Sequence, residues 1–369
     1  MSVRLRFHPY RLPLRQPWHS ARQRVDERRG WLVTASAGGE IGYGDCAPLP
    51  QAGTEPARDA LHRLSHWCEH AGGRSPQDLL DALASQLPTS MPAADGAVET
   101  ALLDLAARRA GVPLRRLLAG LPLPSQPTAP PPPAAASDRI GVNAMLGAAA
   151  TVTAAALDQA VGAGFRVIKL KVGTADWPTE RLCIDRILSR LPAGVTLRLD
   201  ANGAWQADVA RAAVADLAAL DGTGRIESLE EPLCRPDDRQ LTALQRAAPF
   251  ALALDESLAL RAPVEPRRLP ARRLVLKPGV FGGLRATRDL ATRALAAGRE
   301  VVLTSLVESA AGLWATAQLA GAIGSPLAHG IGTAHWLAVD LGEAPAVVDG
   351  GIRLPEVAGS GFVPVTGLS

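Results

Sequence analysis

The rhythm of apolar and polar positions changes once along the chain, near residue 140. Before that point, residues 3–9 (VRLRFHP), 31–37 (WLVTASA) and 40–45 (EIGYGD) read as short strands. Gly38 and Gly39 supply the turn of a hairpin between the last two. Apolar residues at helical spacing follow at about 55–70, 77–86 and 95–110, with a glycine stop at Gly111. Residues 1–120 are therefore expected to form an α+β domain. The segment LPLPSQPTAPPPPAAASD is rich in proline, which fixes φ and lacks an N–H donor. It predicts an extended linker over 121–139.

From residue 140, short apolar runs alternate with helical stretches rich in Ala, Leu and Arg. The runs are IGVNAML, FRVIKLKVG, VTLRLDANG, IESLEEP, FALALDES, RLVLKPG, EVVLTSL and AHGIG. Eight candidate strands with seven helical intervals predict a parallel sheet closed into a (β/α) TIM-like barrel over 140–340. The final helix is weakly marked. Residues 341–369 make a C-terminal segment free to pack back on the first domain. The fold class expected is α/β, a barrel preceded by a smaller α+β domain.

Composition narrows the partners. Hydrophobic residues make up 47% of the 369 residues, enough for a large core. The net charge is only +3 and its two signs are interleaved, which argues against nucleic acid. Cys46, Cys68, Cys183 and Cys234 are far apart and read as reduced thiols. The N-terminus alternates like a strand, and no apolar run reaches membrane-spanning length. A soluble cytoplasmic protein is expected; the oligomeric state is left open.

One count goes further. Of 39 basic side chains only three are lysines: Lys169, Lys171 and Lys277. Arginine stays charged at any working pH, whereas a desolvated lysine can give up its proton. All three fall where strands end, and barrel active sites lie at the C-terminal ends of the strands. The second strand ends Lys169-Leu170-Lys171, whose two lysines point to one face. The third ends at Asp200 and Asn202, the fourth at Glu230 and Glu231, the fifth at Asp255 and Glu256. The sixth ends at Lys277 and the seventh at Ser305, followed by Glu308. Clustered carboxylates repel unless a cation sits among them, and an all-oxygen set suits a hard ion, Mg²⁺ ahead of Mn²⁺. Lys171 and Lys277 flank the acidic trio from opposite sides. A small-molecule carboxylate bound there would lie between them, the enediolate formed on proton loss being stabilised by the cation while a lysine takes the proton.

At these residues the chain resembles the enolase superfamily, in its muconate-lactonizing subgroup. The motifs that carry the resemblance are KLK (169–171), LRLDANGAW (197–205), LEEP (229–232), ALDES (253–257), LKPG (276–279) and SLVESAAGL (305–313). It implies a capping role for the α+β domain. It also implies Asp200, Glu230 and Asp255 as Mg²⁺ ligands, Lys171 and Lys277 as acid/base residues, and Lys169 as electrostatic support, with Glu231 behind the ligands. A lysine base working beside Mg²⁺ is that superfamily's own pattern, so the acid/base assignment and the resemblance are not independent of each other.

Within the subgroup the motifs lean towards the o-succinylbenzoate synthases. Arg198 stands just before the first ligand, SLVESAAGL resembles that family's seventh-strand segment, and HGIGTAHWLAVDL its eighth. The Asp-x-Asp expected of a dipeptide epimerase is not found there. This resemblance implies a syn dehydration, with Lys171 as base and then acid and Lys277 against the opposite ring face. An N-acylamino acid racemase or dipeptide epimerase is the alternative. Ser305, Asn202 and Arg198 are the expected substrate contacts. Residues 15–29 are expected to be a lid loop, whose Arg22, Arg24, Arg28 and Arg29 either meet substrate or are solvated, the solvated face being the expectation. Trp18 and His19 belong to the same loop, facing either ligand or core. His329 and His335 are expected to be ordinary core or loop histidines.

Overall fold

The computed structural model describes residues 2–19, 24–123, 125, 137–222 and 224–365, without the side chains of residues 18 and 19. The proline-rich stretch thus lies almost wholly outside the described residues, as does Arg22.

Three antiparallel strands, β1 (Arg4–His19), β2 (Arg24–Ala37) and β3 (Glu40–Cys46), form the first sheet in that order. Gly38 and Gly39, at φ 63° and 87°, make the turn between β2 and β3. β1 and β2 run well beyond the predicted strands. They pair out to His19 opposite Arg24, with an irregularity between Pro13 and Trp18. The expected lid loop over 15–29 is thus largely a hairpin arm. Its period-2 signal was present in Tyr10, Leu12 and Leu14, which are buried with Val25, Leu337, Leu341 and Phe362 in a second, smaller core. Intervening arginines and prolines masked it.

Four helices follow: α1 (Ala57–His70), α2 (Pro76–Ala84), α3 (Pro92–Arg109) and α4 (Leu114–Gly120). α3 is buried on nearly every side, between the first sheet and the barrel. Gly42 and Gly44 permit this, because a Cβ on either would come within 2.2 or 2.0 Å of an α3 carbonyl, that of Ala101 or Ala97. The acidic side chains of α3 are partnered: Asp95 by Arg63 at 2.6 Å and Trp67 at 2.7 Å, Glu99 by Arg285 at 2.8 Å.

The barrel alternates β5 (Ala144–Ala148), α5 (Ala154–Gly162), β6 (Val167–Lys171), α6 (Trp177–Arg190), β7 (Thr196–Asp200), α7 (Ala207–Leu220), β8 (Ile226–Glu230) and α8 (Asp238–Ala247). It continues with β9 (Ala251–Leu254), α9 (Glu256–Ala259), β10 (Arg273–Leu276), α10 (Leu284–Ala296), β11 (Glu300–Leu303) and α11 (Ala310–Ile323). The strands β5 to β11 form one parallel sheet in sequential order. Three expectations need correcting. The eighth run is not a full strand: His329 bridges Val142 and Gly330 bridges Thr304, both parallel, and these short contacts close the ring. IGVNAML is two strands, with β4 (Arg139–Gly141) leaving the ring to pair antiparallel with β13 (Gly351–Arg353), next to β12 (Val347–Val348). The fifth helical interval also shrinks, to the four residues of α9, because Pro263, Pro266 and Pro270 interrupt it.

The chain after β13 returns to the N-terminal helices. Ser360 N–H donates to Asp104 of α3, Leu114 N–H to the Gly359 carbonyl, and Arg108 to the Phe362 carbonyl. Among the described residues no helix is long and apolar enough to cross a membrane.

Candidate active site

Strand register brings the sequence-predicted residues together. Lys171 pairs with Asp200, and Asp200 with Glu230, across β6, β7 and β8. Their neighbours Leu170, Leu199 and Leu229 are fully buried on the other face, towards the helices. Alternation therefore turns the charged set inward at the C-terminal mouth. Asp255 follows β9 and Lys277 follows β10, completing an arc with lysines at both ends.

The contacts are short. Lys169 Nζ lies 2.7 Å from Asp200 Oδ2 and 2.8 and 2.9 Å from the two Glu230 oxygens. Lys277 Nζ lies 2.5 and 2.6 Å from the Asp255 oxygens. Asp200, Glu230, Asp255 and Lys169 are buried, while Lys171 and Lys277 are half-buried. Two backbone devices hold the arc. Asn202, at φ 45°, folds back so that its N–H donates to Asp200 Oδ1 at 3.0 Å, and its side chain reaches Glu256 at 3.3 Å. Glu231, at φ 42°, accepts from Asp255 N–H at 2.7 Å and from Ser257 N–H and Oγ at 2.9 and 2.7 Å. Its carboxylate thereby fixes the turn that carries Asp255.

These surroundings push the two mouth lysines apart. Burial is the main force on Lys171 and, with the Lys169 charge, holds it below the usual ammonium value despite Asp200. Burial acts in the same sense on Lys277, but Asp255 and Glu256 outweigh it and hold it above. Lys169 is likewise held up against burial by Asp200 and Glu230. Burial and the charges of Asp200 and Asp255 raise Glu230 well above the carboxylate range. Asp200 sits below it, because Lys169 and the Asn202 N–H overcome its burial. Glu256 is raised to about 7 by burial and Asp255.

The other predicted residues divide. Ser305 is at the mouth, 2.7 Å from the Thr333 hydroxyl, and accepts from Val307 N–H at 3.2 Å. Arg198 is not at the mouth. It is 3% exposed and binds Glu227 through Nε at 3.2 Å and an Nη at 2.9 Å, deeper in the barrel. Register passes from Leu197 opposite Ile226 to Arg198 opposite Ser228, so Glu227 is the extra residue of a bulge. That bulge also brings Glu227 to Arg273 at 2.7 Å. Substrate contact by Arg198 gives way to a place in the barrel's lower ion network. Glu308 is buried and accepts from Leu306 N–H at 2.8 Å. His329 is fully buried and its Nδ1 accepts from Leu303 N–H at 3.0 Å, completing the ladder where the ring closes. His335 is in a one-turn 3₁₀ segment beside Trp336.

Of the arm's arginines, Arg24 is exposed beside Asp26 and Arg29 beside Glu27. Arg28 is buried, against expectation. Sequence reasoning also missed the turn Pro50–Ala52. A Cβ at Gly53 would lie 3.4 Å from Val280 Cγ1 and 3.8 Å from Ala259 Cβ, so this turn rests on α9 and on the loop after β10. The Gln51 Nε2 is buried there with no acceptor among the described residues. Nothing in PLPQAG distinguishes such a turn from any other.

Comparison with known proteins agrees with the architecture. A family model described as MenC, N-terminal domain, matches residues 3–89. An o-succinylbenzoate synthase of Thermosynechococcus vestitus is 29% identical over 315 residues, covering 84% of this chain and 85% of that protein. A hydrophobic dipeptide epimerase of a Flavobacteria bacterium is 25% identical over 369 residues, covering 97% of each. The muconate lactonizing enzyme of Pseudomonas fluorescens, solved with muconolactone, superimposes with a TM-score of 0.83 at 22% identity, over 100% of this chain and 98% of that one. The model described as Enolase C-terminal domain-like matches residues 152–366, more than half of the chain, and the chain belongs to the enolase superfamily.

Proposed function

We propose that this enzyme is an o-succinylbenzoate synthase, dehydrating 2-succinyl-6-hydroxy-2,4-cyclohexadiene-1-carboxylate to 2-succinylbenzoate in menaquinone biosynthesis. The observation that carries the reading is the arc of three buried carboxylates, Asp200, Glu230 and Asp255, flanked at its two ends by Lys171 and Lys277. Groups whose surroundings push their pKa values apart divide acid and base work between them. Lys171, eased towards the free amine, suits the base. Lys277, held as the ammonium by Asp255, suits a fixed cation against the opposite ring face. The similarity to o-succinylbenzoate synthases and the match to the MenC N-terminal domain support the choice of substrate.

The superfamily implies a divalent cation, Mg²⁺ or Mn²⁺. Asp200, Glu230 and Asp255 fit it in kind: three buried carboxylates offering only oxygen. Among the described residues they do not converge as a ready-made cluster, since Lys169 draws Asp200 and Glu230 while Lys277 draws Asp255. These three residues would hold the ion. When bound, it would offset the negative charge that develops on the substrate carboxylate.

The chain's own residues do the rest. Lys171 takes the ring proton beside the carboxylate. The resulting ammonium then protonates the departing hydroxyl on the same face. One C–H and one C–O bond break, a C=C bond forms, and the products are the aromatic ring and water. Ser305 and Asn202, at the mouth, supply polar contacts to the substrate.

The test is turnover of the purified enzyme with this diene and Mg²⁺, followed by the absorbance of the aromatic product. Lys171→Ala should lower kcat by about a thousandfold or more, consistent with the loss of a positioned acid/base group. Normal turnover by that variant would sink the assignment. The likeness to a dipeptide epimerase over nearly the whole chain favours a second reading, racemisation or epimerisation at an α-carbon. Deuterium exchange into N-succinyl amino acids or dipeptides without dehydration would select it.

A further inference from the structure

Arg28 lies on β2, outside the barrel, yet it is only 3% exposed. Its guanidinium donates to three backbone carbonyls: Ala47 at 2.7 Å, Pro48 at 3.2 Å and Val307 at 3.2 Å. The first two follow β3 in the capping domain. The third belongs to the barrel loop after β11. Val307 is β-branched and sits at φ 60°, a conformation that persists only when its surroundings enforce it. A second clamp lies beside the first. Asp45 of β3 accepts from Ser309 N–H at 2.8 Å and Ser309 Oγ at 2.7 Å, and is itself held by the Tyr10 hydroxyl at 2.6 Å. Ser305, at the mouth, is tied to the clamped loop, its hydroxyl accepting from Val307 N–H at 3.2 Å.

We propose that Arg28 is a positioning residue: it holds the β11 loop from the capping domain so that Ser305 keeps its place at the mouth. The effect on catalysis rests on the proton-transfer reading above; the effect on the loop does not. Arginine suits the task because its planar fork reaches several carbonyls at once, which a single ammonium cannot.

Full-length Arg28→Met and Arg28→Lys separate these points. Backbone hydrogen exchange should speed about tenfold or more at Leu306, Val307 and Ser309 in Arg28→Met, while β7 and α6 keep wild-type rates. With the diene, KM should rise about tenfold while kcat stays within about threefold, and Arg28→Lys should recover part of the loss. Adding Ser305→Ala to Arg28→Met should change KM little beyond Ser305→Ala alone, because both act through one contact. Unchanged exchange in the loop, or an equal acceleration throughout the protein, overturns the proposal. Accelerated loop exchange in an enzyme inactive with the diene would retain the clamp and reject the function.

Discussion

A lysine at the barrel mouth acquires its character from what surrounds it. Lys171 and Lys277 are the same side chain at the ends of two strands. One is pushed down mainly by burial and the other is held up by a carboxylate at 2.5 Å. Their rarity made both visible in the sequence, as did the repeat of acidic strand ends. Their division of labour was not legible, because it depends on which carboxylate each ammonium meets. Glu231 is a further case. It stands next to Glu230 in the sequence, but its positive φ sends its carboxylate sideways to accept three hydrogen bonds from Asp255 and Ser257. Glu231→Ala should leave circular dichroism unchanged and lower kcat/KM by about ten- to a hundredfold, the range for groups that orient ligating residues. Activity within twofold of wild type would show that Asp255 is held without it.

Among the elements, α3 joins the two halves. Its apolar residues are spread around the whole helix because one side meets β3 and another meets the barrel, where Gly96 lies 3.1 Å from the Gly283 backbone by projected Cβ. The glycines opposite it are as informative as its leucines. Gly44→Ala would place a Cβ 2.0 Å from the Ala97 carbonyl and should cost about 1–3 kcal/mol, measured by urea unfolding. Gly162→Ala, at the end of α5 where a Cβ meets nothing within 4 Å, should be neutral or stabilising in the same assay. Equal losses at the two positions would rule out close packing as the reason for Gly44. Element type was readable wherever the period was clean, as in α1 to α3 and in β6 to β11. It failed in the β1–β2 arm, where charged pairs such as Arg11–Glu27 cover the exposed face. It also failed at the ring closure, where His329 supplies from its side chain an acceptor that a full strand would supply from its backbone.

For the whole molecule, the contact between capping domain and barrel contains buried acids. Glu308 is raised to about 7 by burial, with Asp45 adding to the effect and Arg28 opposing it. Asp340 is raised to about 6 by burial, and Asp45 is raised as well. The folded state therefore binds protons more tightly than the unfolded chain. Stability from these groups is fully present below the unfolded carboxylate pKa and is lost as pH rises towards 7, on the order of 3 kcal/mol for Glu308 alone. Glu308→Gln cannot ionise, so Tm measured from pH 5 to 7.5 should fall less steeply than in the wild type. An unchanged slope would place the linkage elsewhere.

The sequence by itself determined the alternation of strands and helices over β6 to β11, the side of the barrel that carries charge, and the residue types gathered there. Those properties follow from local periodicity and from the rule that residues two apart on a strand share a face. The tertiary structure alone decided that Arg28 is buried and Arg198 lies below the mouth. It also decided that Glu231 serves Asp255 and that the barrel closes through His329 and Gly330. Each of these depends on a partner between 19 and 279 residues away, or on a bulge or positive φ that shifts where a side chain points. A pattern read along the chain does not encode such meetings, because they are set by how the elements pack.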